Sequence, residues 1–217
     1  MVYIICYLIG SIPFGLFFVK ILSGKDLRKV ESGRTGGTNA LRAAGWTAGI
    51  MTAVMDIFKG YSSSLIVTWM GMENIWVRIF AALFVVIGHN YSAFLIEKKP
   101  GGGLKFRGGA GGASALGGAM ALWPPSGLII LPLAVLVFYL FRYASITTIS
   151  IGAFSILTFG LRAIIIGSEW QYIIYGVIAV LIVMWALRPN LQRLNEGTER
   201  IVGKQPLIIQ KLRKNHH

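Results

Sequence analysis

Three stretches of this chain gather the residue types that grip an anion. The first reads Ser32-Gly33-Arg34-Thr35-Gly36-Gly37-Thr38-Asn39-Ala40-Leu41-Arg42. Its glycines let backbone N–H groups turn toward one point, its hydroxyls donate, and two guanidiniums within eleven residues add paired charged donors. A phosphate is the natural guest. The second reads Lys98-Lys99-Pro100-Gly101-Gly102-Gly103-Leu104-Lys105-Phe106-Arg107-Gly108-Gly109-Ala110-Gly111-Gly112-Ala113-Ser114. It runs into a short Gly/Ala helix, whose N-terminal partial charge also favours a phosphate. It is not a nucleotide loop, since no Gly-Lys-Ser/Thr closes it and no G-x-G-x-x-G follows a strand. The third, Arg188-Pro189-Asn190-Leu191-Gln192-Arg193-Leu194-Asn195-Glu196-Gly197-Thr198-Glu199-Arg200, follows the last apolar run.

Each stretch also has a plainer reading. The first is then a solvated loop that fixes topology, the second packs through small residues beside a basic anchor, and the third meets lipid headgroups. Headgroup contact is the expectation for Arg200, Lys204, Lys211, Arg213 and Lys214. Elsewhere, Asp56 and Lys59 stand at i and i+3 of one apolar helix, where an ion pair lowers the cost of two charges in hydrocarbon. His89 is expected to bond to a neighbouring helix rather than to act as a base. Cys6 is the only cysteine, so neither an internal disulfide nor a cysteine metal site is possible. The stretches hold no Ser-His-Asp set, no paired carboxylates and no metal-ligand cluster, so neither metal nor cofactor is expected.

The elements that must position these stretches are membrane helices. Of 217 residues, 55% are hydrophobic and 13% charged, which excludes both a disordered chain and a water-soluble globule. Apolar runs at roughly 2–22, 47–70, 76–96, 109–123, 126–142, 145–163 and 171–188 approach the ~20 residues a spanning helix needs. The first run lacks a basic leader and a small-residue cleavage site, so it reads as a retained span. The 109–123 run is short and built of Gly and Ala, so it is expected inside the bundle. The predicted fold is an all-α integral membrane bundle of seven transmembrane helices in one domain, 1–217, with its chemistry in segments 23–46, 97–114 and 188–200.

Charge orients the bundle. Lys25, Arg28, Lys29, Arg34 and Arg42 lie in 23–46, Lys98, Lys99, Lys105 and Arg107 in 97–108, and seven more basic residues lie between Arg188 and Lys214. The intervening loops hold only Arg78 and Arg162, beside Glu73 and Glu169. The positive-inside rule then makes the basic segments cytoplasmic, with the N-terminus outside and the C-terminus in the cytoplasm, as an odd number of spans requires. Because the basicity reports orientation, nucleic acid is not an expected partner.

Taken together, the motifs resemble one family, the bacterial acyl-phosphate:glycerol-3-phosphate acyltransferases of the cell (inner) membrane. The resemblance runs through Tyr7-Leu8-Ile9-Gly10-Ser11-Ile12-Pro13-Phe14-Gly15, Ser32-Gly33-x-x-Gly36-x-Thr38-Asn39 with Arg42, Asp56-x-x-Lys59-Gly60 and Gly88-His89. It continues through Phe106-Arg107-Gly108-Gly109, Ala115-Leu116-Gly117, Arg142-Tyr143-x-Ser145 and Asn190-x-x-Arg193-Leu194-x-x-Gly197-x-Glu199. It implies acyl transfer from a fatty acyl phosphate to the hydroxyl of glycerol 3-phosphate, giving lysophosphatidic acid and phosphate for phospholipid biosynthesis. By that likeness Ser32 and Arg42 are the catalytic pair, and Ser32, Arg42, Ser145 and Asn190 hold glycerol 3-phosphate. Gly108 and Gly109 hold the acyl-phosphate head, and Thr38, Asn39, Lys105, Arg107 and Arg193 complete the substrate contacts. The expected partners are those two substrates and membrane lipids, around a monomer whose active site faces the cytoplasm.

The chain departs from the family's pattern in three places. Ala110 stands where the family carries a second lysine of the glycine loop, and Leu187 where it carries a histidine. Neither can donate to a phosphate. The stretch from His89 to Phe106 is several residues longer than in the family and has Ser92 in place of a proline; its Lys98, Lys99 and Lys105 are the candidates to restore the missing charge, Lys105 first by its nearness to the turn, against the plainer reading that Lys105 only reaches the membrane surface. Two classes therefore stand side by side: the acyltransferase, and a non-enzymatic paralogue on the same scaffold, such as an anion carrier or a lipid-phosphate-binding protein.

Overall fold

The computed structural model describes residues 1–99 and 101–203, so Lys204, Lys211, Arg213 and Lys214 lie outside the described residues. The chain folds as helices α1 (Val2–Ser11), α2 (Phe14–Ser23), α3 (Gly37–Trp69), α4 (Ile75–Asn90), α5 (Gly112–Leu122), α6 (Ser126–Phe141), α7 (Ala144–Ile166), α8 (Tyr172–Ala186) and α9 (Arg188–Asn195). Strands β1 (Ile96–Lys98) and β2 (Leu104–Phe106) form one antiparallel hairpin between α4 and α5. Among the described residues, three helical stretches are long and apolar enough to cross a membrane, namely Val2–Ser23, Gly37–Trp69 and Ala144–Ile166. The pair α8 and α9, bent by 70°, makes a fourth if taken together, and α4, α5 and α6 are shorter apolar helices. Phe17, Phe58, Leu128, Leu161 and Ile164 stand exposed on the outer surface, as lipid-facing side chains do. The chain is an all-helical membrane protein.

Three expected boundaries move. The 2–22 run is two helices, because Pro13 has no N–H to donate and its ring blocks a continuous helix. The break frees two carbonyls, and buried side chains satisfy them: Ser92 Oγ donates to Ser11 O at 2.6 Å and Lys59 Nζ to Ile12 O at 3.0 Å. The 76–96 run ends at Asn90, and the extra residues after it build the hairpin rather than lengthen the helix. Gly101, Gly102 and Gly103 all have φ between 86° and 95° in its turn, a conformation that glycine adopts without strain. The start of α3 is also separate: Ala44 and Gly45 leave helical geometry, so a short helix bearing Thr38, Asn39 and Arg42 meets the long apolar one at a kink.

Helix α5 lies inside the bundle, as its small residues predict, with Ser114 through Ala119 all buried. It packs on α3 at backbone distance. A Cβ on Gly117 would stand 2.0 Å from Ile57 O, and one on Gly60 2.3 Å from Ser114 O. Gly117→Val is therefore expected to force the two helices apart at a cost of about 1–3 kcal/mol. A melt of the purified protein in detergent measures it, and an unchanged Tm would show that this contact does not hold the bundle.

Candidate active site

The three candidate stretches meet at one end of the bundle. Asn39, buried in the first turn of α3, gives its amide hydrogens to Leu27 O at 3.3 Å, Val30 O at 3.0 Å and Arg34 O at 2.9 Å. It therefore shapes the loop that presents Ser32 and Arg34. At the root of that loop Arg28 forks onto Asp26, and those hydrogen bonds hold the Asp26 carboxyl down at about 2. The glycine stretch lies across the same loop: Thr35 N donates to Gly108 O at 3.2 Å, Arg107 Nη1 to Arg28 O at 3.3 Å, and Arg34 Nη1 to Gly109 O at 3.1 Å.

The glycines of the second stretch are needed for close approach. A Cβ on Gly109 would fall 1.8 Å from His89 Nε2, and one on Gly108 2.3 Å from His89 O. The Gly109 N–H already donates to His89 O at 2.9 Å. Amides with no partner inside the helix therefore belong to the start of α5, and Ala110, Gly111, Gly112 and Ala113 line the cavity there. His89 Nδ1 faces Asp56 Oδ1 at 3.4 Å, on the neighbouring helix α3 as expected, and Asp56 is paired with Lys59 at 2.9 Å. That buried trio braces the back of the site.

The third stretch closes the front. Leu187 ends α8, and α9 turns away carrying Asn190 and Arg193. Asn190 Nδ2 donates to Glu199 Oε1 at 2.8 Å, Arg193 pairs with Glu199 at 3.3 Å, and Arg34 Nη2 donates to Asn190 Oδ1 at 3.3 Å. Ile201 pairs with Tyr143 and Val202 N donates to Arg142 O at 2.9 Å, which fastens the tail beside Ser145. Arg42 Nη2 donates to Arg200 O at 3.3 Å, while Arg200 itself pairs with Glu31 at 2.6 Å.

Two cavities open among these residues. The first, of about 330 Å³, is lined by Ser32, Thr38, Asn39, Arg42, Ser145 and Asn190, together with Arg34, Asp56 and His89. Its lining also includes the apolar side chains of Trp46, Ile50, Ala53, Ile57, Leu116 and Ile151. The Ser145 hydroxyl is buried there without a partner among the described residues, as is Asn39 Oδ1. The second cavity, of about 480 Å³, is lined by Lys105, Arg107, Gly108 and Arg193, with Arg34, Arg188 and Arg200 beside the single acid Glu31. Ser32, Arg34 and Asn190 line both.

Ten of the eleven expected site residues therefore border one cavity or the other, and Gly109 packs between them against His89. Lys105 is exposed on β2, opposite Glu97, on the second cavity. Arg107 is committed to Glu97 at 2.6 Å. Arg34, His89 and Glu199 were not among the expected residues. Arg34 is half-buried, and burial, with the Arg193 charge adding to it, pulls its guanidinium below the ordinary arginine range. The only signal for it in the sequence is its place inside the first glycine-rich stretch.

Comparisons with known proteins follow this geometry. Residues 1–197 match the glycerol-3-phosphate acyltransferase family. The chain is 37% identical over 202 residues to the glycerol-3-phosphate acyltransferase of Thermus thermophilus, covering 93% of this chain and 94% of that one. It is 35% identical over 197 residues to that of Rubrobacter xylanophilus, covering 91% and 92%. Among solved structures it is similar to PlsY (YgiH), an integral membrane glycerol 3-phosphate acyltransferase, in its glycerol 3-phosphate form. That match has a TM-score of 0.78 at 31% identity and covers 93% of this chain and 94% of the other.

Proposed function

The chain belongs to the glycerol-3-phosphate acyltransferase family, and from that premise we propose that it moves a fatty acyl group from an acyl phosphate to the hydroxyl of glycerol 3-phosphate, giving lysophosphatidic acid and phosphate for phospholipid synthesis. One convergence supports this reading. Ser32, Thr38, Arg42, Ser145 and Asn190 come from stretches far apart in the chain and line a single cavity together with apolar side chains. That mixture of polar and greasy lining suits a phosphorylated alcohol meeting a fatty acyl group.

An acyl phosphate is an activated mixed anhydride, so the protein has mainly to hold two phosphates and one hydroxyl in place. The glycerol 3-phosphate hydroxyl attacks the acyl carbonyl carbon. A C–O ester bond forms while the bond from that carbon to the phosphate oxygen breaks, and the departing phosphate takes the hydroxyl proton. Ser32 and Arg42 act at the reacting groups, while Thr38, Ser145 and Asn190 hold the acceptor. The Gly108-Gly109 turn and the start of α5 present the donor, with Lys105 and Arg107 on the side of the basic second cavity. Asn39 and Arg193 shape the site through the contacts they make. Fixed cations and N–H groups then offset the charge that develops as phosphate leaves. Purified protein supplied with glycerol 3-phosphate should acylate it from palmitoyl phosphate and not from palmitoyl coenzyme A. Equal rates from the thioester would contradict the assigned donor.

We further propose seven crossings by a monomer in the inner membrane: α1 with α2, then α3, α4, α5, α6, α7 and α8. The N-terminus lies outside, and the site faces the cytoplasm. The basic composition of the three converging stretches supports this orientation. Single cysteines in place of Lys29 and Lys99 should stay unlabelled by an impermeant reagent added to intact cells, whereas cysteines at Gly71 and Ser168 should react. Labelling of either of the first two from outside would reverse the assignment.

A further inference from the structure

Most guanidiniums at this end of the bundle are already engaged within the protein, Arg188 against the Trp185 ring and Arg142 against Tyr139. Arg28, Arg107, Arg193 and Arg200 each have a carboxylate partner: Asp26, Glu97, Glu199 and Glu31. Arg34 and Arg42 line the cavity proposed for acyl transfer and have no carboxylate partner among the described residues. Arg34 donates instead to three neutral oxygens, Gly109 O, Ala186 O and Asn190 Oδ1. A guanidinium has five N–H donors, so two remain for a further ligand. A half-buried cation whose hydrogen bonds all go to neutral oxygens is costly until an anion joins it, and the proposed reaction brings two phosphates to a cavity lined by two arginines without a carboxylate partner among the described residues.

We propose that Arg34 is the phosphate-binding cation of the acyl-phosphate side, standing where the two cavities meet. Arg42 serves the acceptor phosphate. The assignment of sides follows from what each arginine touches. Arg34 holds the Gly109 carbonyl, next to Ala110 and the amides at the start of α5, whereas Arg42 reaches the Arg200 carbonyl across the opening. Arg34 also lines the second cavity, where Lys105, Arg188, Arg193 and Arg200 gather. It can therefore hold a phosphate at the site and release it toward that basic basin. Lys105 lies on the far side of this junction, exposed on β2.

This inference rests on reading the first cavity, which Ser32, Arg42 and Ser145 line, as the site of acyl transfer, so its test reads phosphate binding and not turnover. Equilibrium dialysis of the purified chain against radiolabelled inorganic phosphate measures it, with Arg34→Gln as the variant that keeps donors and removes charge. Arg34→Gln should weaken phosphate binding at least about fivefold, since a charged donor contributes more than a neutral one. A smaller loss in the folded variant overturns the proposal. Ala110→Lys in the otherwise intact chain gives an independent reading. If Arg34 already supplies the charge, the added lysine tightens phosphate less than about fivefold, and a larger gain shows the cation was missing and overturns the proposal. A chain that binds phosphate through Arg34 but transfers no acyl group would sink the acyltransferase reading and leave this site standing.

Discussion

Asp56→Ala is expected to unfold the protein or lower its stability by about 3–5 kcal/mol, the largest effect of any single substitution in the bundle, because it leaves a buried ammonium without its counter-charge. Lys59 and Asp56 are each 2% exposed and pair at 2.9 Å. The pair does more than neutralise itself. Lys59 Nζ also satisfies the Ile12 carbonyl freed by the Pro13 break, and Asp56 faces the imidazole that packs on Gly109. Loss of the carboxylate should therefore disturb the α1–α2 joint and the glycine turn together. Removing both charges in Asp56→Leu with Lys59→Met should recover much of the stability, since no lone charge then remains in hydrocarbon. Detergent melts of the parent and these two variants decide it. A single mutant as stable as the parent would mean that the pair is dispensable.

Arg42→Ala should lower kcat/KM for glycerol 3-phosphate at least about a hundredfold, roughly 2.7 kcal/mol of transition-state stabilisation. Arg42→Lys should still cost at least about tenfold, mostly as a raised KM, because an ammonium cannot present a planar fork to a phosphate. Arg42 lines the cavity proposed for acyl transfer, and among the described residues its one side-chain hydrogen bond is to the Arg200 carbonyl, which leaves four of its five N–H donors for an acceptor phosphate. Steady-state kinetics with glycerol 3-phosphate varied at fixed acyl phosphate gives both parameters. Unchanged kinetics in Arg42→Lys would remove the arginine from the acceptor site.

Much of the site was legible because its residues are grouped in the chain. The stretches holding Ser32, Gly108 and Asn190 were each recognisable from local chemistry, and the apolar runs between them announced the helices. What the sequence concealed depends on tertiary neighbours. Nothing local tells which of Arg34 and Arg42 has its charge walled in, since that follows from the carbonyls of Gly109 and Ala186, brought from 75 and 152 residues away. The role of Gly109 is similar. Its N–H reads from sequence as an anion donor, yet it holds the His89 carbonyl, and the glycine is required because the imidazole leaves no room for a Cβ. The hairpin was missed because a helical run that ends on Asn90 and continues through Phe94, Leu95 and Ile96 keeps its hydrophobicity while losing its helix. The split of α1 from α2 was signalled by Pro13, which a count of apolar residues passes over.

The central claim is acyl transfer at the cavity that Ser32, Arg42, Ser145 and Asn190 share. The most direct measurement is mass spectrometry of the products formed when purified protein in detergent receives palmitoyl phosphate and glycerol 3-phosphate alone, with Ser145→Ala run in parallel. The buried Ser145 hydroxyl, without a partner among the described residues, should then be donating to the acceptor. The account predicts palmitoyl lysophosphatidic acid and inorganic phosphate in equal amounts, and a rate at least about tenfold lower for the alanine variant. Phosphate binding without any lysophosphatidic acid would contradict it and leave an anion-binding membrane protein on the same scaffold.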